Sequence, residues 1–348
     1  NGRQLRARAF AIATGSRPKI PAIPGLEKAG YLTNEQVFSL QQRPESLAVI
    51  GGGPIACELG QAFSRLGCAV TIVAGSKYLL PKEDPEASQV IQSQFESEGI
   101  RVLTQTQVEQ VEVVDGKKYL WAGDEKIGAA QILVAAGRSP NVESLNLEAA
   151  GVKIGQQGIR VNAKLQTTNS RIYACGDVIG GYQFTHIAAS QAFVILKNTL
   201  LLPLSKVDYR VTPWATFTDP ELARVGLTEQ QARERYGNDL RILKQDFKDV
   251  DRAQAEAATH GFGKIITRKN GEILGAHLVG PAAGELIHEI VLAMSHRLKV
   301  SALGGIHVYP TLSEVNSKLA LVYTKQKYAA NQTFKLLLQR FFRLRRWL

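Results

Sequence analysis

A short apolar run stops at three glycines and gives way to a helix, and this break constrains the fold more than any other feature. Ser46 to Ile50 reads SLAVI, suited to a buried parallel strand. Gly51, Gly52 and Gly53 follow, then IACELGQAFSRLG, whose apolar spacing is helical and which stops at Gly67. Ala69 to Ala74, AVTIVA, reads as a second strand. Strand, glycine turn, helix and strand together open a dinucleotide-binding domain. Gly51-x-Gly53-x-x-Ala56 supplies the fingerprint within that unit. Gly51 permits the tight turn, Gly53 lets backbone approach a pyrophosphate, and Ala56 is small enough for close helix–strand packing. The phosphates would sit at the helix N-terminus, where free N–H groups and the helix dipole favour anions.

The end of the second strand bears on which dinucleotide is bound. An acidic residue there would hold the ribose 2′-hydroxyl of NAD. The chain instead has Ala74, Gly75, Ser76 and Lys77. No carboxylate repels a 2′-phosphate, while Ser76 and Lys77 offer a hydroxyl and an ammonium, so NADP(H) is favoured over NAD(H). The alternative is that Lys77 is a solvated loop lysine.

The 348 residues allow two or three domains. Hydrophobic residues make up 45% and charged residues 21%, ordinary for a packed globular core. Cys57, Cys68 and Cys175 stand far apart, with no metal-type or CxxC spacing, which excludes a disulfide framework and fits a reducing, cytoplasmic setting. The net charge of +11 is read as solubility and attraction to anionic cofactors, because no nucleic-acid-binding module accompanies it. No apolar run reaches the ~18 residues of a membrane span.

Further along, Asp84 to Glu98 reads as a helix and Ile132 to Ala136 as a buried strand before Gly137. From about Tyr209 the pattern changes. WATFTDPELARVGLTEQQARERYG mixes strand with polar helix, and GKIITRKNGEILGAHLVG gives two β-rich runs around Lys269-Asn270-Gly271-Glu272. AGELIHEIVLAMSHRL returns to helical spacing. This order suggests a separate α+β domain.

Three further motifs stand around the glycine turn: Ala13-Thr14-Gly15-Ser16-Arg17-Pro18, Gly137-Arg138-Ser139-Pro140-Asn141, and Thr168 to Asp177, TNSRIYACGD, which ends a strand on an aspartate. As a set they resemble the class I pyridine nucleotide-disulfide oxidoreductases, which include glutathione reductase, dihydrolipoamide dehydrogenase and mercuric reductase. The resemblance spans residues 1 to about 325. It implies an α/β fold with FAD- and NAD(P)-binding Rossmann-like domains and a C-terminal α+β dimerisation domain. The implied divisions are a partial FAD-binding domain at 1–30, an inserted NAD(P)-binding domain at 31–140, the remaining FAD-binding domain at 141–205, a dimerisation domain at 206–325 and a basic tail at 326–348.

The same resemblance implies roles for individual residues. Thr14 and Gly15 would lie at the crossing between domains, near the flavin, and Asp177 would hydrogen-bond the ribityl chain of FAD. Phe184 to Ala188 resembles the segment passing the isoalloxazine ring, which places His186 and Ala188 there. Val108 and Gly137 resemble positions lining the nicotinamide dinucleotide, and Glu58 the acid near the nicotinamide ring. The alternative for Asp177 is a helix or turn cap.

Two departures from the family pattern matter. The family's first GxGxxG and its CxxxxC redox pair precede the ATG motif by roughly a hundred residues in the family pattern, so a chain beginning at that motif is expected to lack both. The three cysteines present cannot replace the pair, since each falls in an apolar element of the kind that buries small core residues. The second departure is in Ile306 to Glu314, IHVYPTLSE, matching a dimerisation-domain signature that normally reads His-Pro-Thr-x-x-Glu. In the family the histidine is acid/base for the partner subunit's thiols and the glutamate orients it. Here Tyr309 takes the histidine's place, Glu314 is kept and His307 lies two positions earlier, from where a backbone shift would let it substitute. With an unperturbed pKa of ~10, tyrosine is a poor thiol base near neutrality. Mercuric reductases also carry tyrosine at this position, but end in a cysteine pair, and no cysteine follows Cys175. A mercuric reductase-like protein without that metal-loading tail is the nearest description.

The resemblance therefore implies a homodimeric flavoenzyme taking hydride from NAD(P)H to FAD, and passing electrons to a disulfide or metal-type acceptor. Two rivals stay open: a flavin-dependent reductase of a quinone or small carrier without a disulfide, and a non-catalytic nucleotide-binding dimerisation fragment. At the C-terminus, Phe334 to Leu348 interleaves leucines and aromatics with arginines. A helix there would be basic and amphipathic, of the kind that lies on an anionic membrane surface. The alternative is a helix packed on the dimer or on the N-terminal portion of the flavin domain.

Overall fold

A computed structural model describes residues 4–329 and 332–346. Its first elements are the short strands β1 (Phe10–Ile12) and β2 (Ser16–Pro18) and a single helical turn, α1 (Leu26–Ala29). The glycine-broken segment then forms β3 (Ser46–Ile50), α2 (Pro54–Arg65) and β4 (Ala69–Val73), as its pattern predicts. Next come α3 (Pro85–Ser97) and β5 (Arg101–Leu103). A three-stranded antiparallel meander follows, β6 (Gln110–Val114), β7 (Lys117–Ala122) and β8 (Glu125–Ala129). After it the chain returns as β9 (Gln131–Val134), parallel to β3 with Leu47 opposite Gln131, giving the sheet order β5-β4-β3-β9.

Strand β10 (Arg138–Pro140) pairs antiparallel with β2, and β11 (Ile172–Ala174) pairs parallel with β1. Helix α4 (Thr185–Leu200) completes this part of the chain. The C-terminal half has five antiparallel strands: β12 (Pro213–Thr216), β13 (Glu221–Gly226), β14 (Leu240–Asp246), β15 (Phe262–Arg268) and β16 (Ile273–Gly280). Their order is β12-β13-β16-β15-β14. The Asn-Gly turn joins β15 to β16 at the expected place. Helices α5 (Glu229–Tyr236), α6 (Asp251–Ala255), α7 (Ala283–Ser295), α8 (Glu314–Ala329) and α9 (Gln332–Arg345) complete the chain. A capping box starts α5: the Thr228 hydroxyl accepts from the Gln231 N–H, and the Gln231 side chain accepts from the Thr228 N–H.

By contact density the chain falls into two compact units, the first comprising Asn1–Ala56, Thr71–Val73 and Thr106–Tyr209, the second Cys57–Val70, Ala74–Gln105 and Arg210–Leu348. In the first unit, Ile159, Ala174 and Val178 form one buried cluster and Leu165, Tyr173 and Ile195 another. The core of the second unit includes Phe247, Ile265, Leu278, Ile287, Val315 and Leu319. A β-carbon on Gly263, in the middle of β15, would stand 2.9 Å from Leu319 and 3.1 Å from Val315, so the missing side chain is what lets α8 seat on the sheet.

Candidate active site

In the first unit, the ATG and GRSPN motifs, more than 100 residues apart, meet as one antiparallel ladder in which Ser139 faces Arg17. The ladder positions a set of polar groups. Ser16 Oγ donates to Asp177 Oδ2 at 2.6 Å, and Arg138 Nε donates to Ser16 Oγ at 2.6 Å while standing 3.5 Å from Asp177 Oδ2. Thr14 Oγ1 donates to the Asn141 carbonyl (2.7 Å), and Asn141 Nδ2 donates back to the Thr14 carbonyl (2.9 Å). The Asn141 N–H also donates to the Gly15 carbonyl (3.0 Å).

Asp177 does not end a strand. Strand β11 stops at Ala174, and Asp177 lies in one 3-10 turn, Gly176–Ile179. The backbone changes course because Gly176 takes a φ of 75°, and its N–H donates to Gln191 Oε1 (2.7 Å) on α4. Gln191 Nε2 in turn donates to the Tyr209 hydroxyl (2.8 Å). His186 and Ala188 occupy the first turn of α4, with the Phe184 ring 5.6 Å from the His186 ring and the Ala188 N–H bonded to the Phe184 carbonyl (3.0 Å). Thr14, Gly15, Asp177, His186 and Ala188 thus all belong to this unit. Ser16, Arg138 and Gln191, which bind or orient them, were missed by sequence reasoning, although the first two lie inside the quoted motifs.

Five of the residues assigned to the dinucleotide also belong to the first unit. Gly51 has φ +131°, and a β-carbon there would stand 2.3 Å from the Ala135 carbonyl oxygen, so only glycine fits. A β-carbon on Gly53 would meet nothing within 4 Å, which leaves its backbone approachable. Ala56 and Val108 are buried, and the Gly137 carbonyl accepts from the Lys19 N–H (2.9 Å).

Glu58, Ser76 and Lys77 belong to the second unit. Burial raises the Glu58 carboxyl above the usual range, against a lowering effect from the Phe217 N–H, which donates to Oε1 at 2.9 Å. Ser76 Oγ donates to the Tyr78 carbonyl (2.7 Å), so its proton is committed within the turn. The Lys77 ammonium lies 5.2 Å from the Tyr78 ring centroid. A cavity of about 300 Å³ here is lined by Lys77, Tyr78, Gln92, Thr104 and Gln105 among others.

The loop before α8 holds the remaining residues. Tyr309 is 68% exposed, and its hydroxyl donates to Asp251 Oδ2 at 2.7 Å. That bond, and the charge of Asp251, raise the phenol above its ordinary value. His307 is turned to other partners. Its Nδ1 is 2.9 Å from the Gly305 carbonyl, and its Nε2 is 3.2 Å from Glu289, a carboxylate also held by Asn316 Nδ2 at 2.8 Å. Burial opposes the imidazolium, but these two acceptors outweigh it and the His307 pKa is raised. Glu314 opens α8 and pairs with Lys318 at 3.2 Å. The three cysteines are buried and none is in a disulfide with another, and burial pushes the Cys57 thiol up, against reactivity.

Residues 1–192 match the family model described as pyridine nucleotide-disulphide oxidoreductase, and residues 212–320 match the dimerisation domain of the same family. The chain belongs to the pyridine nucleotide-disulphide oxidoreductase family. Over 333 residues it is 40% identical to a mercuric reductase of Staphylococcus aureus, covering 93% of this chain and 60% of that protein. A dihydrolipoyl dehydrogenase of Bacillus subtilis is 35% identical over 321 residues, covering 90% of this chain and 69% of that one. Among solved structures, the Cu(II) complex of the HOCl-induced flavoprotein disulfide reductase RclA from Escherichia coli superposes with a TM-score of 0.85 at 29% identity, covering 90% of this chain and 72% of that one. The chain therefore spans about 60% of the length of that mercuric reductase. Among the described residues, no helix is long and apolar enough to cross a membrane.

Proposed function

We propose that this chain forms part of a mercuric reductase-like flavoenzyme, using NAD(P)H and FAD to reduce a disulfide or metal-type acceptor, with mercuric ion the first acceptor to assay. The observation that carries the reading is the exposed Tyr309 phenol before Pro310, where a thiol-base imidazole would suit disulfide turnover. The higher identity to mercuric reductase, 40% against 35% for dihydrolipoyl dehydrogenase, supports it.

The residues present fit a flavin. Asp177 uses Oδ2 to accept from Ser16, and among the described residues Oδ1 accepts no hydrogen bond. That oxygen suits a hydroxyl of a ribityl chain, and Arg138 Nε stands 3.5 Å from the other carboxylate oxygen. His186 and Ala188, at the start of α4, would line the ring. When bound, the flavin accepts hydride from the reduced nicotinamide and hands on two electrons. The chain contributes binding and orientation. Gly51 and Gly53 open the backbone at the α2 N-terminus to a pyrophosphate, Ala56 is small enough for close helix–strand packing, Val108 and Gly137 would line the dinucleotide, and Glu58 would be the acid near the nicotinamide ring. The preference for NADP(H) rests on Lys77, since the Ser76 proton is already used by Tyr78. Tyr309 would offer a neutral phenol to the acceptor, and Glu314 and His307 would shape the loop that presents it. Association is expected as a homodimer through residues 206–325, with Ile306 and Val308 exposed beside Tyr309.

The test is Hg(II)-dependent oxidation of NADPH and NADH by the product of the complete gene, beside its Tyr309→Phe and Tyr309→His variants. Mercury-dependent turnover that falls tenfold or more in Tyr309→Phe is the expected result, about 1.4 kcal/mol of transition-state stabilisation. Lipoamide reduction without any mercury-dependent oxidation overturns the proposed acceptor.

A further inference from the structure

Helix α9 has an apolar side that the described residues leave largely exposed. Phe334, Leu337, Leu338, Phe341 and Leu344 follow the i, i+3, i+4, i+7 and i+10 spacing that gathers side chains on one face. Lys335, Gln339, Arg343 and Arg346 fall on the opposite face, with Arg340 and Phe342 at its borders. Leu336 and Arg345 break this segregation. An arginine among apolar neighbours can lay its stem along them while its guanidinium reaches water. Among the described residues, cover is limited to the start of this face: the Phe334 ring stacks on Tyr328 of α8 with centroids 4.7 Å apart, and Leu338 is half-buried. The remaining large side chains Leu337, Phe341, Phe342 and Leu344 are 58, 55, 52 and 69% exposed.

The charge on this segment is one-sided. After Glu314 the sequence carries eight Lys or Arg residues and no Asp or Glu. The bases of α9 therefore have no carboxylate on their own helix to pair with, and no ion pair joins them to an acid among the described residues. A protein groove covering α9 would need an apolar floor and several carboxylates along its rim. A bilayer with anionic headgroups supplies both at once, with acyl chains under the apolar face and phosphates at the level of the arginines. Among the described residues no helix is long and apolar enough to cross a membrane, so the orientation that suits α9 is the interfacial plane.

We infer that α9 docks this chain on an anionic membrane surface, lying in the interfacial plane with Leu337, Phe341 and Leu344 toward the acyl chains and Arg340, Arg343 and Arg346 on the phosphates. Electron acceptors that partition into membranes would then be concentrated beside the enzyme.

The test is flotation of the full chain with vesicles of phosphatidylcholine alone, and with vesicles containing about one third phosphatidylglycerol. Binding to the anionic vesicles only, weakening as salt rises, is expected. Arg340→Gln with Arg343→Gln lowers the partition coefficient roughly tenfold or more. Leu337→Ser with Phe341→Ser abolishes flotation while the thermal transition of the chain is unchanged, since both side chains are exposed. Lys28→Gln with Lys153→Gln removes the same charge from exposed positions elsewhere, and leaves binding within about twofold. The inference is overturned if the chain does not float, or if the α9 variants float as the parent does. It is equally overturned if those variants change only the oligomeric mass in light scattering, which would seat α9 against a second copy.

Discussion

The Tyr309 hydroxyl gives its proton to Asp251, 58 positions away in sequence, and this single bond determines what the side chain can offer a substrate. Asp251 favours the neutral phenol, whose one O–H is donated to that carboxylate. An ultraviolet difference titration of the parent against Tyr309→Phe isolates this phenol. It is expected to ionise above the ordinary ~10, and Asp251→Asn is expected to bring it back toward that value. A titration unaffected by Asp251→Asn would mean the bond is not formed in solution. Gly51 is the other residue whose role is fixed by geometry. Gly51→Ala puts a β-carbon 2.3 Å from the Ala135 carbonyl at a φ of +131°, so the turn must distort. A loss of about 2 kcal/mol or more in chemical denaturation, with weakened dinucleotide binding, is expected.

At the scale of elements, two polar assemblies tie the second unit together, and each joins elements remote in sequence. His307 bridges the Gly305 carbonyl and Glu289 of α7. Its raised pKa means the folded state binds the proton more tightly than the unfolded chain does. The corresponding stability is fully present below the unfolded value of ~6.5, and is lost as pH rises through the folded value. His307→Gln should therefore cost about 1 kcal/mol at pH ~6 and less at pH ~8, read from urea denaturation at both. A cost independent of pH would show that the imidazolium is not the stabilising form.

The second assembly surrounds Lys264 on β15, which is 3% exposed. Its ammonium is 2.9 Å from Glu229, 3.3 Å from Asp84 and 3.4 Å from Glu86. Burial disfavours that charge, but the three carboxylates outweigh it and the lysine pKa is raised. Asp84 precedes α3, yet its Oδ1 accepts from the Glu229 N–H (3.0 Å) at the start of α5 rather than capping its own helix. Beside it the fully buried His277 lies 3.3 Å from Glu83 and 3.4 Å from Asp84. Trp214 Nε1 donates to Glu83 at 2.8 Å. Lys264→Met leaves the buried Asp84 carboxylate without its cation and should cost about 3 kcal/mol or more, most of it recovered when Asp84→Asn is added. Equal losses in the single and double variants would show that the charge pair is not responsible.

For the molecule as a whole, the exposed loop around Ile306, Val308 and Tyr309 belongs to the segment that matches the family's dimerisation domain. If that loop is a subunit contact, Ile306→Asp with Val308→Asp shifts the mass in light scattering from dimer toward the 38.0 kDa monomer. A parent chain already monomeric at micromolar concentration would place the contact elsewhere.

What the sequence determined by itself is local. The apolar run, the glycines and the helical spacing after them produced β3, α2 and β4 where expected, because backbone conformation and burial on one face are written in neighbouring residues. The Asn-Gly hairpin and the helix before His296 followed for the same reason, and so did the burial of the three cysteines. Family membership was legible too, since the motifs around Thr14, Gly137 and Asp177 are short and contiguous. The meander β6–β8 went unread: its strands alternate burial too briefly to form a strong pattern, and their pairing to one another sets the register. Tertiary structure alone decided the pairing of Tyr309 with Asp251, the diversion of His307 to Glu289, the ladder that brings Ser16 and Arg138 to Asp177, and the buried cluster around Lys264. Each is a polar contact between side chains remote in sequence. Its energy depends on distance and desolvation, which arise only once packing has removed the water between the groups.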